Sequence, residues 1–178
     1  MTSTERVEPS LVAGETEMLL AWLNYHRDTL RARTEGLGSD QLSATHPPST
    51  LTLGGLLKHM ALVEDHWFSV ILLGSDPVEP WRSADWEADG DWEFHSAFED
   101  SPEELRRLFD DGCAASDRIL KRALAEGGLD RLSEKTSHRE EGQKFSLRWI
   151  VMHMVEEYAR HNGHADLIRE SIDGFTGE

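Results

Sequence analysis

Four residues able to bind a cation cluster near the end of the chain, in the run His153-Met-Val-Glu-Glu157-Tyr-Ala-Arg-His161-Asn-Gly-His164. Imidazole nitrogens and carboxylate oxygens are the usual ligands of catalytic divalent ions. At about 100° per helical residue, with Glu157 at zero, His153 lies near −40°, His161 near +40° and His164 near −20°. All four therefore share a sector roughly 80° wide on one helix face. Residues three or four apart have Cβ atoms only about 5–6 Å apart and can chelate one ion. Residues seven apart are separated by ~10.5 Å of rise and cannot. The helical pair is thus His153/Glu157, Glu157/His161 or His161/His164, and spacing does not choose among them.

A third ligand must come from elsewhere. His59, in the apolar run Leu56-Leu57-Lys58-His59-Met60-Ala61-Leu62, and His66 lie on nearly the same face of a second helical segment, seven residues apart. By the argument from rise, only one of them can serve the same ion. His59 is the better candidate, because its more apolar surroundings place it inside the fold. A lone histidine on an apolar face also reads as a satisfied core residue. The weight for a site comes from convergence with the acid and histidine face of the last helix. Two imidazoles and one carboxylate, with a position left open, form a catalytic rather than a structural pattern.

Other chemistry is less well supported. Cys113 is alone, which excludes a disulfide framework, and in a helix beside small residues it reads as an inert buried thiol. Asp85-x-Glu87-x-Asp89-Gly90-Asp91-x-Glu93 imitates the start of a calcium loop, but Ser96 stands where the bidentate Glu belongs. Trp67 and Trp149 can wall a pocket or simply pack in the core. Arg160 and Arg169 can hold an anionic substrate or complement a helix end.

The elements that must position these groups are helices. Leu19, Leu20, Leu23, Leu30 and Leu37 follow a 3.6-residue repeat in a segment from about Leu11 to Leu37. A second helix is expected from Leu53 to Leu73, closed by Gly74. A third opens at Ser101-Pro102-Glu103-Glu104, an N-cap, an N1 proline and an acidic first turn, and ends near Gly127-Gly128. The fourth runs from about Ser146 to Ile172 and stops at Gly174. No stretch alternates apolar and polar residues, so strands are not expected. The expected fold is all-α: one domain over residues 1–178, a four-helix bundle with a long acidic loop between helices 2 and 3 and a flexible stretch at residues 1–10. That loop, Asp76 to about Asp100, carries Trp81, Trp86 and Trp92. From Asp76 to Asp111 there are 13 acidic and three basic residues. Tryptophan at this density argues against disorder and for packing over one end of the bundle.

Composition bounds the partners. The chain of 178 residues has 34 Asp and Glu against 18 Lys and Arg, a formal net charge of −16. Phosphate backbones and anionic lipid would repel such a protein, so neither nucleic acid nor a membrane is an expected partner. No apolar run approaches the ~18–20 residues that span a bilayer, and the polar residues Met1 to Pro9 do not read as a secretory signal. A cytoplasmic protein acting on a small molecule is the expectation.

Gly55-Leu-Leu-Lys-His59-Met-Ala-Leu-Val-Glu64-Asp-His-Trp67-Phe68 and the His153–Glu170 stretch resemble the DinB/YfiT-like superfamily of metal-dependent four-helix bundles. The similarity is greatest to an actinobacterial branch related to mycothiol-dependent maleylpyruvate isomerase, and it covers nearly the whole chain. The resemblance implies one divalent ion, zinc or nickel, held by His59, Glu157 and His161. Many superfamily members have histidine where Glu157 stands, so this site carries an extra negative charge. His164 falls near the site but behind the ligands, and His153, Trp67, Trp149 and Arg160 are candidate pocket residues around it. The resemblance also implies a low-molecular-weight thiol such as mycothiol as cosubstrate, with S-transfer or isomerisation of a small electrophile as the reaction. A metal-dependent hydrolase on the same ligands, or a non-catalytic metal-binding bundle, is the alternative. A homodimer is compatible with all of these.

Overall fold

The computed structural model describes residues 6–137 and 139–176; residues 1–5 of the expected flexible stretch lie outside them. The described chain is mostly helical. α1 is Glu15–Thr34, α2 a single turn at Ser39–Leu42, and α3 Leu53–Glu64, which continues without a break as a π-helical segment, Asp65–Leu72. α4 is the short helix Trp92–Ser96, α5 is Pro102–Gly127, and α6 is Leu147–Asp173. A 3₁₀ turn at Gly128–Asp130 leads into the strand β1, Leu132–Thr136, which pairs antiparallel with β2, Lys144–Ser146.

Helix ends follow from local chemistry. Ser101 Oγ accepts from the Glu104 N–H at 3.2 Å, and Glu104 Oε2 accepts from the Ser101 N–H at 2.9 Å, a complete capping box before Pro102. Thr52 Oγ1 caps α3 through the Gly55 N–H at 3.0 Å, and Ser146 Oγ caps α6 through the Trp149 N–H at 3.2 Å. Gly174, with φ of 78°, ends α6 in the left-handed conformation that glycine adopts without a Cβ penalty.

Three sequence expectations need correction. The first helix begins at Glu15, not near Leu11, because Leu11 and Val12 are 96% and 92% exposed and bury nothing. The β1–β2 hairpin was not expected. β1 reads Leu-Ser-Glu-Lys-Thr, and only Ser133 faces inward, so no apolar alternation marks it. Its pairing is irregular, with Ser133 Oγ accepting from the Phe145 N–H at 3.0 Å. The acidic segment after Gly74 is also partly helical, since α4 interrupts it.

α1 lies along α6, and α3 contacts both α5 and α6. His59 on α3 sits opposite His161, whereas Trp67, farther along the same face, sits opposite His153. Residue numbers rise on α3 as they fall on α6, so the two helices run antiparallel. Their shared core includes Leu23, Leu30, Leu56, Met60, Phe68, Ile150 and Met154, all fully buried. Into this apolar core the fold places a charged knot. Arg27 of α1 donates through Nε and Nη2 to Glu64 of α3 at 2.7 and 2.8 Å, and through Nη1 to Asp117 of α5 at 2.7 Å. Tyr158 Oη of α6 donates to Glu64 Oε1 at 2.6 Å. One carboxylate thus ties together all four long helices. An uncompensated charge at this depth would cost several kcal/mol.

The candidate metal centre

The ligand atoms of His59, Glu157 and His161 all lie within 4.8 Å of one another, and all three residues are half-buried. His59 comes from α3; Glu157 and His161 come from consecutive turns of α6. Glu157 presents one oxygen to each side, Oε2 at 3.4 Å from His161 Nε2 and Oε1 at 3.4 Å from His153 Nε2. The imidazole of His161 beside it holds the Glu157 carboxyl below its ordinary value, against the opposing effect of partial burial, with His153 and His59 adding to the same direction. A second grouping, His153, Glu156 and Glu157, shares Glu157 but belongs to one helix and includes an exposed member. The two-helix group is the better enclosed.

His59 is held from behind. Its Nδ1 lies 2.9 Å from Glu93 Oε1, and its ring stacks on Phe94 at 4.8 Å with 20° between the planes. A carboxylate only accepts, so His59 Nδ1 carries the proton, which leaves Nε2 as the nitrogen a metal would use. Glu93 and Phe94 both belong to α4. Phe94 can approach because residue 55 is glycine: a Cβ there would stand 3.0 Å from the Phe94 ring. Lys58, 3% exposed, anchors the same region by pairing with Asp100 and lying 4.6 Å from the Trp92 ring centre.

The donor set fits a divalent cation on chemical grounds. Two borderline imidazoles and one hard carboxylate make a mixed donor set for a divalent ion, and a carboxylate behind His59 fixes the tautomer a ligand needs. His161 Nδ1 is buried without a partner, which leaves its Nε2 as the nitrogen turned to Glu157.

The remaining sequence candidates separate clearly. The His164 ring packs 5.5 Å from that of His161, and burial, with the charges of His161 and Arg160, pushes its imidazole down toward the neutral form. His153 lies between Trp149, stacked at 4.9 Å, and Trp67, edge-on at 4.6 Å. Those two tryptophans therefore border the site through His153. Arg160 is turned to solvent and pairs with Glu156. Arg169 pairs with Asp173 near the end of α6. His66 is not in the group; it meets the edge of Trp67 and faces a separate cavity. Cys113 sits in the charged knot, its thiol pushed up to about 12 by burial and by Glu64.

Two features escape the sequence reading. Glu93 appears there only as part of an acidic run, yet it is 5% exposed and bonded to His59. Its aromatic flanks, Trp92 and Phe94, are the one local sign that it turns inward. Arg27 and Glu64 sit in helices without any sign of their mutual pairing, 37 residues apart.

The mycothiol-S-transferase family model matches residues 18–174 of the chain. No curated protein sequence matches it.

Proposed function

The chain belongs to the mycothiol-S-transferase family, within the DinB/YfiT-like superfamily, and on that premise we propose that it is a metal-dependent enzyme transferring a mycothiol-type thiol to a small electrophile. In this reading α1, α3 with its π-helical continuation, α5 and α6 are the four helices of a single DinB-like bundle domain, and the acidic segment between the second and third covers one side. His59, Glu157 and His161 hold one zinc or nickel ion. The observation that carries the reading is the convergence of these three side chains from two helices, with Glu93 behind His59.

A divalent ion bound there lowers the pKa of a thiol and keeps it as thiolate, the nucleophilic form. The protein's own groups do the rest. Glu93 orients His59, Glu157 offsets the cation's charge, and the rings of Trp67 and Trp149 shield one flank from water. The balance is simple: the thiol loses its proton to solvent, sulfur bonds to the electrophilic carbon, and the leaving group departs with the electron pair. On this reading the protein works in the cytoplasm, alongside the thiol it uses.

Metal analysis together with a conjugation assay tests this. Purified protein supplemented with zinc is expected to hold about one ion per chain, the number one three-ligand site accommodates. It should accelerate the conjugation of mycothiol to iodoacetamide above the uncatalysed rate only when loaded. Thiol-independent hydrolysis by the loaded protein would instead mark the site as a hydrolase. A bound ion with no turnover of either kind would mark a binding bundle.

A further inference from the structure

The helix face that carries His59 does not end with the metal group. At about 100° per residue, Leu62, Val63 and His66 fall near −60°, +40° and −20° from His59, a continuous strip leading away from it. This strip, with Val70, is the floor of a cavity of about 350 Å³ whose roof is Trp81 and Trp86. Small-molecule sites begin near 300 Å³, and about 150 Å³ of apolar space accommodates benzene. The wall is apolar apart from Asp65 and His66. Asp65 accepts the Val78 N–H at 3.3 Å, and His66 meets the edge of Trp67.

The cavity and the metal group share no lining residue, but both are built on the helix that carries His59 and on the segment that leads into α4. Trp81 and Trp86 each meet Trp92 edge-on, at 6.3 and 6.0 Å, and the next two residues, Glu93 and Phe94, are those that hold His59. Leu62, the cavity residue nearest His59 on this helix, lies about 4.5 Å beyond it along the axis, within the span of one substituted ring. The roof segment, however, is net negative: Asp85, Glu87 and Asp91 are exposed on it against the exposed cation Arg82, whose Nε is held by the Pro77 carbonyl at 3.0 Å. Such a field disfavours an anionic guest.

We propose that this cavity is the subsite for the electrophile, and that the electrophile is an uncharged, apolar molecule carrying about one aromatic ring or its equivalent. This rests on the thiol-transfer reading for its reaction but not for its binding. The carbon that gains the bond to sulfur, and loses the leaving group with its electron pair, lies at the metal group. The apolar remainder fills the cavity and changes no bonds.

The test separates binding from turnover. 2,4-Dinitrotoluene, uncharged and unreactive, is titrated into the protein and tryptophan quenching is followed, since Trp81 and Trp86 line the cavity. Saturable quenching is expected, weakened about tenfold or more by Val70→Phe or by Trp86→Ala, the range by which apolar pockets discriminate. Trp86 is 37% exposed but touches Trp92 and bonds the Trp81 carbonyl, so Val70→Phe, which fills the cavity and leaves those contacts in place, is the control for its removal. The anion 4-nitrobenzoate should bind more weakly by a similar factor. Unchanged affinity in both variants, or equal binding of the anion, overturns the proposal. In the conjugation assay, both variants should lose activity with 1-chloro-2,4-dinitrobenzene and keep it with iodoacetamide; equal losses also overturn it. Saturable quenching that the variants weaken, in a protein that conjugates no thiol, would uphold the cavity and refute the transferase reading instead.

Discussion

Glu93 offers the sharpest test of how the fold prepares the proposed metal group. Its Oε1 accepts from His59 Nδ1 at 2.9 Å, while its Oε2 is buried without a partner. A hydrogen bond to a charged group contributes about 1.5–3 kcal/mol net, and a buried unsatisfied oxygen costs about 1–3 kcal/mol. In the metal-free protein these nearly cancel, so Glu93→Ala should leave the thermal midpoint within about 4 °C of wild type. Metal binding should respond quite differently. Without the carboxylate, His59 loses its fixed tautomer and ring orientation, and affinity should fall by about 10–100-fold. Glu93→Gln keeps a carbonyl acceptor and loses only the charge assistance, about 1 kcal/mol or roughly fivefold. Competition of zinc between the protein and a chelator, at fixed pH, gives the three dissociation constants; calorimetry gives the midpoints. A wild-type zinc affinity in Glu93→Ala would refute the positioning role. So would a parallel collapse of midpoint and affinity, since that would make Glu93 a general support of the fold.

Further outcomes follow from the same structure. His161→Ala should abolish zinc binding and His66→Ala should leave it intact, as metal analysis after gel filtration will show; the reverse would make His66 the ligand from α3. With its thiol pushed up to about 12, Cys113 should be about a thousandfold less ionised near neutral pH than an ordinary cysteine, so it should resist iodoacetamide in the folded protein and react on unfolding. Glu64→Gln leaves Arg27 buried with only Asp117 and Asn24, and should cost about 3 kcal/mol at pH 7 by denaturant titration. Burial raises the Glu64 carboxyl but Arg27, Tyr158 and Ser116 outweigh it, so Glu64 titrates below its ordinary value. Its contribution is therefore whole above the unfolded value of about 4.3 and is lost as pH falls through the lower folded value. The gap between wild type and Glu64→Gln should accordingly narrow below about pH 4. A pH-independent gap would contradict the ion pair as its source.

Much of the helical framework is readable in the chain, because capping and termination are local. Ser101-Pro102-Glu103-Glu104, Ser146 and Gly174 each act within a turn of themselves, so their residue types suffice. The hairpin is not readable, since Ser133 contributes a hydroxyl bond rather than an apolar stripe. The start of α1 is misplaced by the sequence for a related reason: Leu11 and Val12 match the helical period, yet the fold offers them nothing to pack against.

The site divides along the same line. The chain alone puts His153, Glu157, His161 and His164 on one face, since 3.6 residues per turn is a property of any α-helix. It leaves three chelating pairs open. What closes the choice of neighbours is the register of α3 against α6, set by burial across many side chains at once. That register brings His59 opposite Glu157 and His161, and turns His66, ~10.5 Å farther along, toward the cavity. The role of Glu93 is likewise tertiary: its aromatic flanks mark it as turning inward, but they do not name a partner 34 residues away. Periodicity and capping are short-range, so sequence determines which residues share a face; the apposition of faces is long-range, so only the folded packing decides which of them meet.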